Sequence, residues 1–230
     1  MGLMKKHLQI INQSLVRVFG DAIAGKKMME LGDQCMLPEA GWEIDVQTGK
    51  EYFAAIGFEH VSVDLNAEHG ALPYDLSLPV LRDDWIGAFD VLTNFGTSEH
   101  VEPFNAQYEC FRTMHQWVRV GGIFIHFVPD IEALERDGAW KDHCRYYYSG
   151  AFFSMLAREN GYTIISLEFI DGLVAITLCK EKDCRFMGDR SLFLKHIARR
   201  STGYCYPRIN DHRALWKRRA AMIRQVFFAR

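Results

Sequence analysis

Two β-rich runs, residues 162–169 and 173–179, face each other across Ile170-Asp171-Gly172. An Asp-Gly between such runs is a strong hairpin signal, because the central residues of a tight hairpin turn need positive φ. Everything before it alternates strand-like and helix-like segments, the pattern of parallel βα units. Residues 27–32 read as a short buried strand ending in a turn, 60–65 as a β-branched second strand and 72–76 as a shorter third. Residues 89–94 are apolar enough for a strand buried on both faces, and 123–128 form a fifth strand closed by Pro129. Leu8, Ile11, Leu15, Val18 and Phe19 share one face of an N-terminal helix that runs to about Phe19, after which Gly20 and Gly25 break it. Tyr52 to Ile56 looks like a helix end with Gly57 as its stop. Phe104, Tyr108, Phe111, His115 and Val118 share a second face, stopped at Val120-Gly121-Gly122. Ser149 caps a third helix that carries Phe152, Phe153, Leu156 and Ala157 to Asn160-Gly161. The expectation is a mainly parallel sheet, covered by helices, that ends in one antiparallel hairpin.

At 230 residues the chain suffices for one full α/β domain and not for two ordinary ones. Its 49% hydrophobic and 24% charged residues are those of a globular protein. No apolar run approaches the roughly 20 residues that span a bilayer. Met1 to Lys6 leads into an amphipathic stretch rather than a signal-peptide core, and Lys6 stands where a myristoylation signal wants Ser or Thr. A cytoplasmic location is the expectation. Cys35, Cys110, Cys144, Cys179, Cys184 and Cys205 contain no Cys-x-x-Cys pair, so reduced thiols are expected rather than a zinc ribbon. The overall charge of −2 hides an asymmetry. Residues 180–230 carry 14 Lys or Arg against 4 Asp or Glu, which puts that segment at +10 and the remainder at −12. The domain division follows: residues 1–180 form the α/β domain, with 1–25 as its N-terminal helix. Residues 181–230 form a basic helical extension, with helices expected at 189–200 and 210–228.

Binding a nucleoside on an open parallel sheet takes a first turn that lets the backbone approach, an acid after the second strand for the ribose hydroxyls, and a third-strand loop for the base. Glu30-Leu31-Gly32-Asp33-Gln34, Asp64 and Asp75 stand in that order, each after its expected strand. Met28-Met29-Glu30-Leu31-Gly32 resembles motif I of the class I S-adenosylmethionine-dependent methyltransferases, and Val63-Asp64 resembles their ribose-binding acidic position. Tyr74-Asp75-Leu76-Ser77 is similar to their adenine loop. The segment from Phe89 to Val101, with Asn94 and then Glu99-His100, is similar to motif IV. The resemblance spans residues 26–180. It implies a Rossmann-like sandwich with a seven-stranded sheet, S-adenosylmethionine as cofactor and S-adenosylhomocysteine as product. By it, Glu30, Gly32, Asp64, Asp75, Leu76 and Asn94 contact the cofactor. This chain departs from the family in having one glycine in the first turn, with Gln34 and Cys35 following. The Gly32-to-Asp64 spacing also exceeds the roughly 20 residues of dinucleotide-binding units, which points to an insert around residues 38–48 that could cover the cofactor.

A sulfonium makes its methyl group electrophilic, so the protein must chiefly align a nucleophile with it, and a base helps when that nucleophile is a hydroxyl. His100, just past the fourth strand, is the candidate base; the alternative is a helix-start histidine bonded to nearby backbone. In some O-methyltransferases that the Glu99-His100 pair resembles, a Glu-His at this position helps hold a divalent metal, and His126 and His143 could complete a nitrogen and oxygen set. The further acid that those families carry three residues earlier is Gly96 here, and a satisfied histidine in the sheet is the favoured reading of His126, so no metal is expected. Asp142-His143-Cys144-Arg145-Tyr146-Tyr147-Tyr148 reads as a substrate wall in which Glu99, His143, Arg145 and Tyr147 meet a small-molecule or glycan-precursor substrate, Arg145 meeting an anion. The alternative is a packed loop whose tyrosines cover the sheet edge. The tail interleaves Arg199-Arg200, Arg208, Arg213 and Lys217-Arg218-Arg219 with Phe193, Tyr204, Tyr206 and Trp216. That composition suits phosphate, nucleic acid or an anionic membrane, but positive charge docking on an acidic body needs no ligand, and nucleic acid is disfavoured. The reading reached is O-methylation of a small molecule or of a glycan- or nucleotide-linked precursor. Its rivals are an RNA methyltransferase that uses the tail and an inactive methyltransferase-fold scaffold, suggested by the reduced glycine turn.

Overall fold

A computed structural model describes residues 2–38, 45–66, 68–79 and 82–203. The expected helix at 210–228, and the aromatic and basic residues beyond Gly203, lie outside them. Seven strands build the main sheet: β1 (Lys27–Leu31), β2 (Glu59–Asp64), β3 (Leu72–Pro73), β4 (Phe89–Phe95), β5 (Val118–Pro129), β6 (Tyr162–Ile170) and β7 (Leu173–Lys180). Their spatial order is β3-β2-β1-β4-β5-β7-β6. The first five are parallel, and β7 runs antiparallel to both β5 and β6. Asp171 and Gly172 make the two-residue turn between β6 and β7 with φ of 55° and 74°, the doubly positive pair a tight hairpin requires.

Period-two alternation sorts the side chains onto two cores. Val91 and Phe95 of β4, Ile123, Ile125 and Phe127 of β5, and Leu173 and Ala175 of β7 face α1 (Lys5–Phe19) and α2 (Gly49–Ala55). Phe89 and Leu92, Phe124 and Val128, and Val174, Ile176 and Leu178 face the opposite layer. That layer contains α3 (Ala106–Trp117), α5 (Gly150–Asn160) and α6 (Arg190–Lys195), while α4 (Ile131–Asp137) directly follows β5. Leu8, Ile11 and Leu15 are the buried stripe of α1, as their spacing predicts. Ser149 caps α5 by accepting a hydrogen bond from the Phe152 N–H, and Gly161 closes it in a left-handed conformation.

Three expectations change. The third strand contributes only Leu72 and Pro73 to the sheet, because Tyr74 turns away to bury its ring against Trp85 and Trp117. The helix before β5 ends at Trp117, so Val120-Gly121-Gly122 does not stop it but lies within β5. There the register against β4 shifts between Phe89 and Val91, and Gly121 has φ of 78°. A Cβ on Gly122 would stand 2.9 Å from the Asp90 carbonyl, so the glycines form a bulge. The helix expected at 189–200 is shorter, since Ala198–Arg199 instead pairs with Tyr146–Tyr147. Phe186, Met187, Phe193 and Ile197 join the main core, so the described part of the extension docks by apolar burial, aided by Arg190–Glu109 and Arg200–Glu135 ion pairs. No helix of the described residues is long and apolar enough to cross a membrane.

Candidate active site

Strand order reverses between β1 and β4, and in open α/β sheets ligands bind at the carboxyl ends of the strands beside such a reversal. Gly32 follows β1 there with φ of 85°, and its N–H donates to the Val63 carbonyl at 2.8 Å. A Cβ at Gly32 would come within 2.5 Å of Thr97 Oγ1 and 2.8 Å of Gln34 Nε2. The turn therefore excludes side chains on two counts, conformation and space. Asp64 ends β2 half-buried; one carboxylate oxygen accepts from the Asp33 N–H at 3.2 Å and the other from the Asn66 N–H at 2.9 Å. These two bonds fix the carboxylate beside the Gly32 turn and leave lone pairs for a diol. The Asp33 carboxylate in turn pairs with His69, which raises the His69 pKa.

Gln34 and Thr97 tie the two strand ends together. The Gln34 amide nitrogen donates to the Phe95 carbonyl at 2.8 Å, and Thr97 Oγ1 donates to the Leu31 carbonyl at 2.8 Å. Gln34 Oε1 is buried without a hydrogen-bond partner. Sequence reasoning marks Gln34 only as a lost glycine and does not single out Thr97; a threonine just past a strand end carries no distinguishing signal. Asp75 is buried, and its carboxylate accepts from the Ser77 N–H at 2.9 Å, the Asx-turn geometry that shapes the loop after β3.

The structure gives other roles to several side chains expected to touch ligands. Asn94 is fully buried. It donates to Ser98 Oγ at 2.9 Å, approaches His126 Nδ1 at 3.1 Å and accepts from the Ser98 N–H, so it builds the turn after β4. The Leu76 side chain lies in the core. Glu30 is buried 3.5 Å from His60 and packs against Gly49, and burial raises its pKa well above the ordinary carboxylate value. Tyr146, Tyr147 and Tyr148 are all inaccessible, so the expected tyrosine wall is interior. Tyr147 donates to the Trp140 carbonyl at 2.7 Å, and Arg145 pairs with Glu102 at 3.5 Å.

What does converge past β4 is Glu99, His100 and His143. The Ser98–His100 turn is held from below: the Tyr148 hydroxyl donates to Gln107 Oε1 at 2.6 Å and lies 3.0 Å from Ser98 Oγ, while the Gln107 amide donates to the Ser98 and Val101 carbonyls. His100 Nε2 stands 3.9 Å from Glu99 Oε1, and the His100 and His143 rings meet edge-on at 5.0 Å. Burial pushes Glu99 up to about 8 and lowers His143. His126, 1% exposed and held to about 3 by burial, stacks on Phe111 and Phe124 and takes no part in this group.

No protein-family model and no curated protein matches the sequence. Solved structures do match by shape. The N-methyltransferase NodS from Bradyrhizobium japonicum, in complex with S-adenosylhomocysteine, is similar at 11% identity and a TM-score of 0.52, with 77% of this chain and 87% of that one covered. A protein from Listeria monocytogenes, assigned as an S-adenosylmethionine-dependent methyltransferase, is similar at 13% identity and a TM-score of 0.50, over 77% and 99% of the two chains. The chain has the class I methyltransferase fold. Within that fold the Gly32 turn, Asp64 and the Asp75 loop follow the first three strands in order, and the Glu99-His100 turn follows the fourth.

Proposed function

We propose that the chain is an S-adenosylmethionine-dependent methyltransferase, yielding S-adenosylhomocysteine and methylating an oxygen on a small molecule or on a glycan- or nucleotide-linked precursor. The observation that carries this reading is the donor and acceptor set at the strand reversal. Asp64 presents a fixed carboxylate to a ribose diol, and the unpartnered Gln34 Oε1 offers a buried acceptor to the ammonium of the amino-acid part. The residues present therefore fit the cofactor, and Asp75 with its Ser77-bonded loop is assigned to the base. Bound there, the cofactor supplies a methyl group made electrophilic by the adjacent sulfonium. Glu99 and His100 line the side of the site towards which an acceptor hydroxyl would give up its proton, with His100 placed to take it. His100, Glu99 and His143 are assigned to the acceptor, and Asn94 acts on it through the turn it builds.

The test is calorimetric titration with S-adenosylmethionine and S-adenosylhomocysteine, with NAD as control. Micromolar binding of the first two, lost in Asp64→Ala, is expected; unchanged affinity in that variant would sink the cofactor assignment. His100→Ala should keep the affinity and cut turnover about 10²–10⁴-fold. One observation favours a second reading, an inactive scaffold with this fold: Gln34 crosses the crevice to Phe95, and a protein that bound neither ligand would be that scaffold.

A further inference from the structure

A cavity of about 650 Å³ lies at the amino ends of β4 and β5, whereas the Gly32 turn and Asp64 stand at the carboxyl ends of β1 and β2. That volume is within the range of small-molecule sites. Its walls are the second half of α3, the start of β5, the Ile86-Gly87 turn before β4 and the segment that follows β7. Arg112, Arg119, Lys180 and Arg185 line it against one acid, the exposed Asp183.

The state of these four cations says what the cavity suits. Lys180 is 5% exposed, and its Nζ donates at 2.8 Å to the His115 and Val118 carbonyls at the C-terminal end of α3. An ammonium has three donors, and two are used. Among the described residues Lys180 pairs with no carboxylate, so it is a buried cation held by backbone dipoles without a counter-ion. A charge in that position is costly. Arg185 makes no hydrogen bond or ion pair with a described residue. Arg119 is neutralised by Asp90 at 2.6 Å, and Arg112 pairs with Glu109 at 2.6 Å while its Nε, buried in the wall, has no acceptor. The uncompensated positive charge therefore sits on Lys180 and Arg185.

We propose that this cavity binds a small phosphate monoester. Its charge near −2 at neutral pH matches the two uncompensated cations. The lysine offers a point charge and the arginine a planar fork to the phosphate oxygens. Tyr108 and Phe186, whose rings meet at 5.3 Å, add aromatic surface for the carbon skeleton. β4 is seven residues long, which sets about 20 Å between the two ends of the sheet. A small ester held here is thus not the methyl acceptor, and the site is independent of what the cofactor crevice binds.

The experiment titrates the full chain with glycerol 3-phosphate by calorimetry, with glycerol as the uncharged control. One saturable site per chain is expected for the ester and none for glycerol. Affinity should fall at least about 10-fold in Arg185→Ala and in Lys180→Met. It should hold in Arg158→Ala, which removes an exposed arginine of α5 paired with Glu159. Thermal melting shows which variants fold; where Lys180→Met unfolds, the exposed Arg185 decides alone. Saturating adenosylmethionine should not displace the ester. No saturable binding, unchanged affinity in Arg185→Ala, or displacement by adenosylmethionine overturns the proposal. So does a single-stranded oligonucleotide bound in preference to the ester with a steep salt dependence, which would make this wall part of a nucleic-acid surface. Failure of adenosylmethionine to bind at all sinks the methyltransferase reading and leaves this site standing.

Discussion

Gly32 shows how much a single position can demand. Its φ of 85° and the 2.5 Å approach of Thr97 Oγ1 to its missing Cβ leave no room for alanine. Gly32→Ala is expected to lower stability by roughly 1–3 kcal/mol and to weaken adenosylmethionine binding, read by urea denaturation and calorimetry; an unchanged denaturation midpoint would contradict the strained turn. The places of Gly32 and Asp64 at strand ends were legible in the sequence because a turn glycine and a strand-end acid advertise themselves locally. Gln34 was visible only as a substitution. That it crosses to Phe95, 61 residues away, is a tertiary fact with no local trace. Tyr147 misled for the converse reason: tyrosine suits a substrate wall and an interior equally, and only packing decides.

At the scale of elements, the short turn bearing Glu99 and His100 has no stability of its own, since a 3₁₀ turn of three residues closes few bonds. Tyr148 and Gln107 supply the rest. Tyr148→Phe would leave Gln107 Oε1 as a buried acceptor without its donor, at a cost of about 1–3 kcal/mol. Turnover should fall while adenosylmethionine affinity holds, because the cofactor turn lies on β1; a parallel loss of both would place Tyr148 in general folding instead. Strands β1, β2, β4 and β5 could be read from apolar and β-branched runs because buried strands favour such residues, although Glu30, Asn94 and His126 are buried polar exceptions within them. β3 could not be bounded, because Tyr74 and Leu76 are as apolar as strand residues yet turn into the core. The Val120-Gly121-Gly122 triplet was a fair helix stop by composition, and only pairing with β4 reveals a bulge.

For the whole molecule, the parallel order and terminal hairpin followed from alternation plus Asp171-Gly172, but the balance of buried charge did not. Burial holds His60 and His115 to about 4 and His126 to about 3. Each is neutral in the folded chain while the unfolded chain takes up protons near pH 6.5. Their contribution to stability is therefore present above about pH 6.5 and is lost as pH falls towards 4. Glu30 and Glu99, with raised values, act in the opposite direction, so the net profile is shallow and a single-site comparison is needed. The stability advantage of the wild type over His115→Gln should shrink by up to about 3 kcal/mol between pH 7 and 4, followed by denaturation at each pH. A pH-independent difference would show that His115 titrates normally.

α1 packs on the last strands: His7 reaches Asp171 at 3.2 Å, and Ser14 meets Thr177 at 2.8 Å. During synthesis the first helix leaves the ribosome long before β7 exists. At about 5–20 residues per second, Leu8, Ile11 and Leu15 wait roughly 10–30 s for the strand that covers them. For that interval the stripe can meet only the earlier members of its core, Met28, Val91, Phe95, Ile123 and Phe127 among them, without Leu173 and Ala175. The core layer beneath α1 is thus complete only once the last main-sheet strand has been made.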